Sequence, residues 1–174
     1  MKFSGRFITF EGCDGAGKST QAKKIYQYLL KKKLPAVLTH EPGGTEVAEK
    51  IRSILLDESI KEPINKRTEL LLYFASRAQH VDNFIIPALE DGKIVICDRF
   101  YDATVAYQGH GRNIGIEIIE KLNNFAGRGI MPELTILIDI DIRLGIERSR
   151  NRNKLKLLKK DLNRMEKESL EFHE

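Results

Sequence analysis

The chain has 174 residues, of which 41% are hydrophobic, so it is long enough for one domain with a buried core. No apolar run approaches the roughly 20 residues that cross a bilayer, which excludes a membrane-spanning helix, and we expect no membrane partner. The amino terminus lacks the apolar core and cleavage site of a signal peptide. The two cysteines, Cys13 and Cys97, form neither a disulfide framework nor a metal-binding spacing, which favours a cytoplasmic location.

The net charge of +4 lies entirely in the carboxyl-terminal segment. Residues 143–174 contain ten Lys or Arg and six Asp or Glu, whereas the rest of the chain contains 19 of each. Such a segment is either a solvated helical surface or a basic flap that faces a polyanion. Because no aromatic residues interleave with these charges, as base stacking requires, we expect no nucleic-acid partner.

Hydrophobic periodicity predicts strands alternating with helices along the whole chain. Thr45 is a suitable N-cap for the second helix, and Pro87 should bend or break the third. The predicted strands cover residues 6–10, 36–39, 93–97 and 134–140. The predicted helices cover residues 18–30, 45–56, 68–89, 114–125, 143–151 and 161–172.

The alternation of strands and helices predicts the fold class. The third and fourth strands are apolar on both faces, which is typical of a parallel sheet covered by helices on both sides. With no linker or repeat, residues 1–174 are predicted to form a single α/β domain. Ligands of such sheets bind beyond the carboxyl ends of the strands. The segments 11–18, 40–45 and 98–107 are expected to be loops at that edge.

The most informative motif follows the first strand. Residues 12–19, GCDGAGKS, fit the P-loop pattern G-x-x-x-x-G-K-[ST] and lie between a predicted strand and a predicted helix. Glycines let successive backbone N–H groups converge on phosphate oxygens, and the helix directs its positive end at the same anion. Lys18 adds a charge between the outer phosphates, and Ser19 offers a hydroxyl to Mg²⁺. The motif predicts a P-loop NTPase-type fold that binds a nucleotide.

The magnesium shell also needs a carboxylate. Asp98, which ends an apolar strand, is the preferred candidate, because the adjacent Arg99 could bind a second phosphate. Asp139 and Asp141 end another strand and compete for this role. The alternative is a structural surface pair between Asp98 and Arg99.

The P-loop alone does not distinguish a switch, a motor and a kinase. Residues 65–68, NKRT, lack the aspartate of the guanine-reading N-K-x-D tetrad, and a motor is usually larger. A small domain with further arginines suits a nucleoside monophosphate kinase, which holds two phosphorylated substrates end to end.

Five stretches of the chain resemble the thymidylate kinase family, and together they span nearly its whole length. They read FEGCDGAGKSTQ, HEPGGTEVAEKIR, LLLYFASRAQHV, DRFYDATVAYQGHGR and NRMEKESLEFHE. The resemblance implies a five-stranded parallel sheet and transfer of the ATP γ-phosphoryl to dTMP, which yields dTDP and ADP with Mg²⁺. It also implies a homodimer.

The resemblance assigns site residues position by position. Asp14 matches an acidic residue near the acceptor sugar and the metal, and Lys18, Arg99 and Asp14 are implied to be catalytic. The implied metal ligands are Ser19 and Asp98. The implied ATP-binding residues are Gly12, Cys13, Asp14, Gly15, Ala16, Gly17, Lys18, Ser19 and Thr20. The implied dTMP-binding residues are Glu41, Arg52, Tyr73, Arg77, Arg99, Thr104 and Gln108.

Within the acceptor set, the resemblance gives each residue a role. Arg52 and Arg99 match arginines that bind the acceptor phosphate, and Glu41 matches an acceptor-site carboxylate. Tyr73 stands where a phenylalanine usually stacks on thymine, and Arg77 matches the arginine that binds a thymine carbonyl. Thr104 and Gln108 match residues that line the base.

Helical spacing gives independent support for two members of this set. Tyr73 and Arg77 are four residues apart and therefore share one face of a helix, whereas Phe74 should face the core. An aromatic face with a forked donor suits a flat base that carries carbonyl acceptors. The alternative is that Tyr73 is an ordinary core residue and Arg77 an exposed charge.

The basic segment is expected to be a lid at about residues 148–160. Relatives that have an arginine inside the P-loop use it as a catalytic cation, but this chain has Gly15 at that position. The resemblance then implies a lid arginine, and the candidates are Arg148, Arg150 and Arg152. Departures from the family pattern are His40 for arginine, Ala103 for serine and Tyr73 for phenylalanine.

Family members continue for roughly 30–40 residues beyond the point that matches Glu174, and an end there would predict weak ATP binding and an exposed sheet edge. Three other interpretations stay open: a kinase for another nucleoside monophosphate, a nucleotide-binding module without turnover, and a P-loop protein that binds nucleic acid through its basic tail.

Overall fold

The computed structural model describes residues 3–57 and 59–156, together with Met165 and Glu168. The side chains of residues 152–156 lie outside this description, as do residues 157–160 of the expected lid. The predicted helix at 161–172 and the motif NRMEKESLEFHE also lie outside it, except for the two residues just named. Among the described helices, none is both long and apolar enough to cross a bilayer.

The described residues form a parallel sheet of four strands with the spatial order β2-β3-β1-β4. All four predicted strands are present, and the last ends three residues earlier than expected. The strands are Arg6–Glu11 (β1), Ala36–His40 (β2), Ile94–Asp98 (β3) and Leu134–Leu137 (β4). Since the chain leaves β1 in one direction and later crosses back to β4 on its other side, the order reverses beside β1, where ligands of open α/β sheets bind.

Seven α-helices occur in the described part of the chain, and two π-helical segments extend them. The π-helices are Val81–Ile85, which joins α3 to α4, and Val105–Gly111, which continues α5. The α-helices are Lys18–Lys31 (α1), Glu46–Leu56 (α2), Lys66–His80 (α3), Ile86–Glu90 (α4), Tyr101–Thr104 (α5), Ile116–Ala126 (α6) and Ile142–Lys156 (α7).

Two local predictions about helices can be compared with the structure. Thr45 is the N-cap of α2, and its hydroxyl accepts a hydrogen bond from the backbone N–H of Ala48 at 3.3 Å, as predicted. The third α-helix is interrupted near Pro87, as predicted: α3 ends at His80, and α4, with Pro87 in its first turn, begins at Ile86. Between the two, the helix widens into the π-helix Val81–Ile85, because a proline lacks the N–H that the preceding turn would bond.

The prediction of a loop at residues 98–107 is wrong. A short bend follows β3, and residues 101–111 then form α5 and its π-helical continuation. The side chains of this segment therefore repeat with a helical period and point at common neighbours. Residues 12–17 and 41–45, which make up most of the segments expected at 11–18 and 40–45, are loops at the carboxyl edge of the sheet.

Both faces of β1, β2 and β3 are largely covered, as their apolar residues predict. The prediction of a buried fourth strand is wrong: β4 lies at the edge of the described sheet, pairs only with β1, and has Leu134 and Leu137 exposed. Phe10 and Ile96 pack with α1 on one face, whereas Phe7, Val95 and Cys97 pack against Val81–Ile85 and α4 on the other. Residues alternate between the two faces along each strand, so a run of consecutive buried residues such as Val95, Ile96 and Cys97 in β3 shows that both faces are covered there. This two-sided core fixes the carboxyl ends of β1, β2 and β3 side by side.

Candidate active site

The P-loop curls tightly between β1 and α1. Gly17, with φ of 100°, takes the N-cap position of α1 in a backbone conformation that favours glycine. Lys18 begins the helix and is buried, and its Nζ donates a 2.7 Å hydrogen bond to the carbonyl of Cys13. Burial and then the charge of Arg99 lower the pKa of Lys18 to about 8. A nearby polyanion would offset both effects by stabilising the charged ammonium group, so this environment suits phosphate.

The P-loop is also covered from the outside by α7. A Cβ built on Gly15 would lie 2.0 Å from the carbonyl oxygen of Gly145 in α7. No side chain fits there, so an arginine at position 15 is incompatible with this arrangement of the helix. Ser149, one turn further along α7, is buried at the same contact.

The two predicted metal ligands meet at the mouth of the P-loop. Ser19 Oγ donates a short hydrogen bond to Asp98 Oδ2, although the two residues are 79 positions apart. The competing Asp141 instead accepts from the backbone N–H of Leu144, and thus caps the first turn of α7. Among the described residues no cluster of three or more Asp, Glu, His or Cys is arranged to hold a metal. Any ion here must therefore take other ligands from water or phosphate.

Arg99 is paired with Asp14 of the P-loop, not with its neighbour Asp98. Its guanidinium donates to Asp14 Oδ1 at 2.7 Å and to the Tyr107 hydroxyl at 3.1 Å, and it lies 5.1 Å from the centre of the Tyr107 ring. The proposed surface pair between Asp98 and Arg99 is therefore wrong. The arginine instead bridges the loop after β1 and the helix after β3.

Glu41, at the end of β2, anchors a buried polar network. Its carboxylate accepts from Arg77 Nε at 2.8 Å and lies 3.1 Å from His80 Nδ1. Burial raises the pKa of Glu41, but Arg77 and His80 together outweigh this effect and hold it below the usual value. Arg77 also donates to Asn123 Oδ1, the carbonyl of Phe100 and Thr104 Oγ1. Four N–H directions of the guanidinium are thus fixed by protein acceptors.

The alternative interpretation of Arg77 as an exposed surface charge is therefore wrong, because its side chain is only 2% exposed. Phe74 lies in the core beside Leu70 and Ile119, as predicted. Tyr73 is half-buried and turns towards the same cavity as Arg77, which agrees with their shared helix face.

Two adjoining cavities open at the carboxyl edge of the sheet, and Asp14, Glu41, Arg52 and Arg99 line both. The first, which we call the P-loop cavity, is lined by Gly15, Gly17, Lys18, Ser19, Thr20 and Asp98 besides these four. The second, the acceptor cavity, contains all seven residues predicted to bind the acceptor. Those seven are Glu41, Arg52, Tyr73, Arg77, Arg99, Thr104 and Gln108.

The candidate lid arginines are not part of either cavity. Arg148 and Arg150 lie exposed on α7, and neither lines the P-loop cavity or the acceptor cavity. The side chain of Arg152 falls outside the described residues. Their catalytic role stays a prediction.

Two site residues escaped the sequence analysis. Tyr107, which stacks on Arg99 in the acceptor cavity, lies in a segment whose sequence predicts a loop and so gives no reason to single it out. In a helix it lies four residues after Ala103, another lining residue. Glu11, the last residue of β1, is 4% exposed, and its carboxylate accepts from the backbone N–H of Phe100 at 2.7 Å. Burial, only partly offset by Arg99, raises the pKa of Glu11 to about 7.

Comparison with known proteins identifies the family of the chain. A family model described as thymidylate kinase matches residues 10–174. The thymidylate kinase of Geobacillus sp. (strain WCH70) is 49% identical over 97% of this chain and 78% of its own length. That of Pelobacter propionicus is 50% identical over 97% of this chain and 76% of its own length.

A solved structure shows the same relationship in three dimensions. The crystal structure of thymidylate kinase from Ehrlichia chaffeensis is 38% identical, with a TM-score of 0.73 over 88% of this chain and 87% of the other. Its fold agrees with the parallel sheet and P-loop described above. The chain belongs to the thymidylate kinase family of nucleotide-binding phosphotransferases.

Proposed function

We propose that this chain transfers the γ-phosphoryl of ATP to dTMP and so produces ADP and dTDP. The observation that carries the proposal is the pair of adjoining cavities with four shared lining residues. One is built from the P-loop and the other from residues that suit a pyrimidine monophosphate. Two nucleotides bound in them would meet end to end at Asp14, Arg52 and Arg99.

The chemistry needs positioning more than it needs a base. A phosphate oxygen of dTMP attacks the γ-phosphorus, the bond from that phosphorus to the bridging oxygen of ADP breaks, and ADP leaves with the electron pair. Because the attacking oxygen is already anionic, no proton has to be removed. Lys18 and Arg99 both line the P-loop cavity and would offset the negative charge as it redistributes. The hydrogen bond to Asp14 holds the Arg99 guanidinium at the junction of the two cavities.

The residues at the P-loop mouth fit Mg²⁺. The hydroxyl of Ser19 and the carboxylate of Asp98 are hard oxygen ligands, and they already lie in direct contact. One carboxylate with phosphate oxygens and water is the ligand set that Mg²⁺ usually takes in such sites. When bound, the ion supplies positive charge to the phosphate oxygens. A homodimer, which the family resemblance implies, and a cytoplasmic location, which the cysteine usage favours, complete the proposal.

The acceptor preference follows from the side chains of the acceptor cavity. Tyr73 offers an aromatic face at the rim, and the buried Arg77 can only donate hydrogen bonds, which suits a ring carbonyl. The cavity also contains Arg52, whose guanidinium donates to the carbonyl of Pro42 at 2.7 Å and is thereby held at the phosphate end.

A coupled ADP-release assay with Mg-ATP and dTMP, dUMP, CMP or AMP as acceptor tests the proposal. We expect dTMP to be strongly preferred. Arg99→Met should lower kcat/KM for dTMP by at least about a hundredfold, because Arg99 is placed to contact both nucleotides. Lys24→Met, which removes an exposed cation of α1, should leave it unchanged. A preference for another acceptor, or ATP binding without any turnover, would contradict the proposal.

A further inference from the structure

A buried polar chain lies directly behind the acceptor cavity. Gln108 Nε2 donates to Glu69 Oε1 at 2.8 Å, and Arg112 donates to both oxygens of Glu69 at 3.1 Å. Arg112 also donates to Glu168 Oε1 at 2.5 Å. Gln108 and Glu69 are 1% and 0% exposed. Neither Glu69 nor Arg112 was singled out as a functional residue, and neither lines the cavity.

The carboxylate of Glu69 determines which way the Gln108 amide points. An ionised carboxylate has no proton to donate, so only the Nε2 end of the amide can face it. The Gln108 side chain lines the acceptor cavity, and its Oε1 has no hydrogen-bond partner among the described residues. A buried carbonyl oxygen left without a donor is costly, so this atom is expected to find one in a ligand.

The ion pair with Arg112 keeps Glu69 in that role. Taking a carboxylate fully out of water is expensive unless it is paired and hydrogen-bonded. The fork of Arg112 meets both oxygens of Glu69, so the carboxylate stays charged and fixed in orientation behind Gln108.

We propose that Glu69, held by Arg112, is a positioning residue that selects the acceptor base through the orientation of the Gln108 amide. The proposal rests on the function proposed above. With its Nε2 fixed to Glu69, Gln108 presents an acceptor oxygen to the base edge. Thymine and uracil carry a ring N3–H that can donate to it. Cytosine has a lone pair at N3, which would face the lone pairs of the amide oxygen.

Arg77 gives the same cavity the complementary half of this pattern. Its guanidinium can only donate, so it suits a ring carbonyl and repels the exocyclic amino group of cytosine. An arginine cannot change its hydrogen-bonding polarity, whereas an unrestrained glutamine amide can rotate by half a turn and exchange acceptor for donor. Glu69 removes that freedom. Together, Arg77 and Gln108 then recognise a base that has a ring carbonyl next to a ring N–H.

The test uses Glu69→Met, which has similar volume but neither accepts nor donates a strong hydrogen bond. kcat/KM is measured for dTMP, dUMP and dCMP in the wild type and the variant. We expect the preference for dTMP over dCMP to fall by at least about tenfold, since one mispaired buried hydrogen bond is removed. The ratio of dTMP to dUMP should stay unchanged, because both bases carry N3–H.

A purely structural role for Glu69 would give another result: all three acceptors would lose activity by the same factor, and the proposal would be wrong. Arg128→Met is the control. It breaks an exposed ion pair with Asp82 that has no part in the contacts around Glu69, so it should keep the preference for dTMP over dCMP. A wild type that does not turn over dTMP would instead refute the proposed function, and the inference with it.

If Glu69→Met does not fold, a crystal structure of the wild type with dTMP tests the same claim. We expect thymine N3 within about 3.2 Å of the Gln108 amide oxygen, with Nε2 still bonded to Glu69. A base whose N3 lies out of reach of Gln108, or an amide turned away from Glu69, would overturn the proposal.

Discussion

The buried ion pair between Glu41 and Arg77 gives the sharpest prediction about stability. Both side chains are almost fully buried, at 5% and 2% exposure, and they lie 2.8 Å apart. Arg77→Met removes the cation and its four hydrogen bonds, and leaves Glu41 with His80 as its remaining ionisable partner. Breaking one side of a buried pair typically costs about 3–5 kcal/mol of the free energy of unfolding. In a chain of this length that corresponds to a fall in Tm of roughly 6–20 °C.

Urea and thermal unfolding of the ligand-free protein measure this effect. Lys50→Met is the control, because it breaks an exposed pair with Glu46 and should cost at most about 0.5 kcal/mol. The double variant Glu41→Leu/Arg77→Met should lose less stability than the two single variants combined, since both charges leave together. If Arg77→Met lost no more stability than Lys50→Met, the assignment of this pair to the core would be refuted.

The ion pair between Glu41 and Arg77 also predicts that the stability of the fold decreases at acidic pH. The folded pKa of Glu41 lies below its ordinary value of 4.5, so its ionised form stabilises the fold. That contribution is fully present above pH 4.5 and is lost as the pH falls through the lower folded pKa. Glu41→Leu should lack this part of the acid transition.

Three further predictions concern the phosphate end of the site. The pKa of Glu11 is raised to about 7, so the folded state holds a proton that the unfolded state loses near pH 4.5, and stability falls as the pH rises between these values. Glu11→Gln should therefore gain stability relative to the wild type between pH 5 and pH 8 in urea unfolding, and an equal difference at both pH values would contradict this. The pKa of Lys18 is about 8, and phosphates should raise it, so ATP binding at pH 8 should take up protons. Calorimetry in buffers of different ionisation enthalpy measures that uptake. Gly145→Ala should lower kcat, although alanine is the better helix former by about 1 kcal/mol. Its Cβ would lie 2.5 Å from the carbonyl of Asp14 and push α7 off the P-loop, and an unchanged kcat would show that this contact does not position the lid.

The fold was predictable where the hydrophobic period was clean. The four strands and most helices follow from runs such as IVIC in β3, where Val95, Ile96 and Cys97 are all fully buried. The helix after β3 was not predictable in the same way. Its sequence, YDATVAYQGHG, contains two glycines and β-branched residues, and its later part is π-helical, so a period of 3.6 residues does not fit it.

The residues of the candidate site that stand in sequence motifs were predictable, whereas the contacts between residues far apart in the chain were not. The P-loop residues and the acceptor arginines stand in short recognisable stretches. The partner of Arg99 is Asp14, which is 85 positions away, and only the folded sheet brings the two together. Glu69 gave no signal in the sequence, because a glutamate on an amphipathic helix is usually exposed. Its burial behind Gln108 becomes visible only when three helical segments are packed.

The most direct test of the two-cavity arrangement is the binding of a single molecule that joins adenosine to thymidine through a chain of phosphates. If the P-loop cavity and the acceptor cavity hold the two substrates end to end, this compound should bind with one equivalent per chain in a calorimetric titration. It should also displace ATP and dTMP together, with a loss of affinity in Arg99→Met. A compound that competes with only one of the two nucleotides would contradict the arrangement.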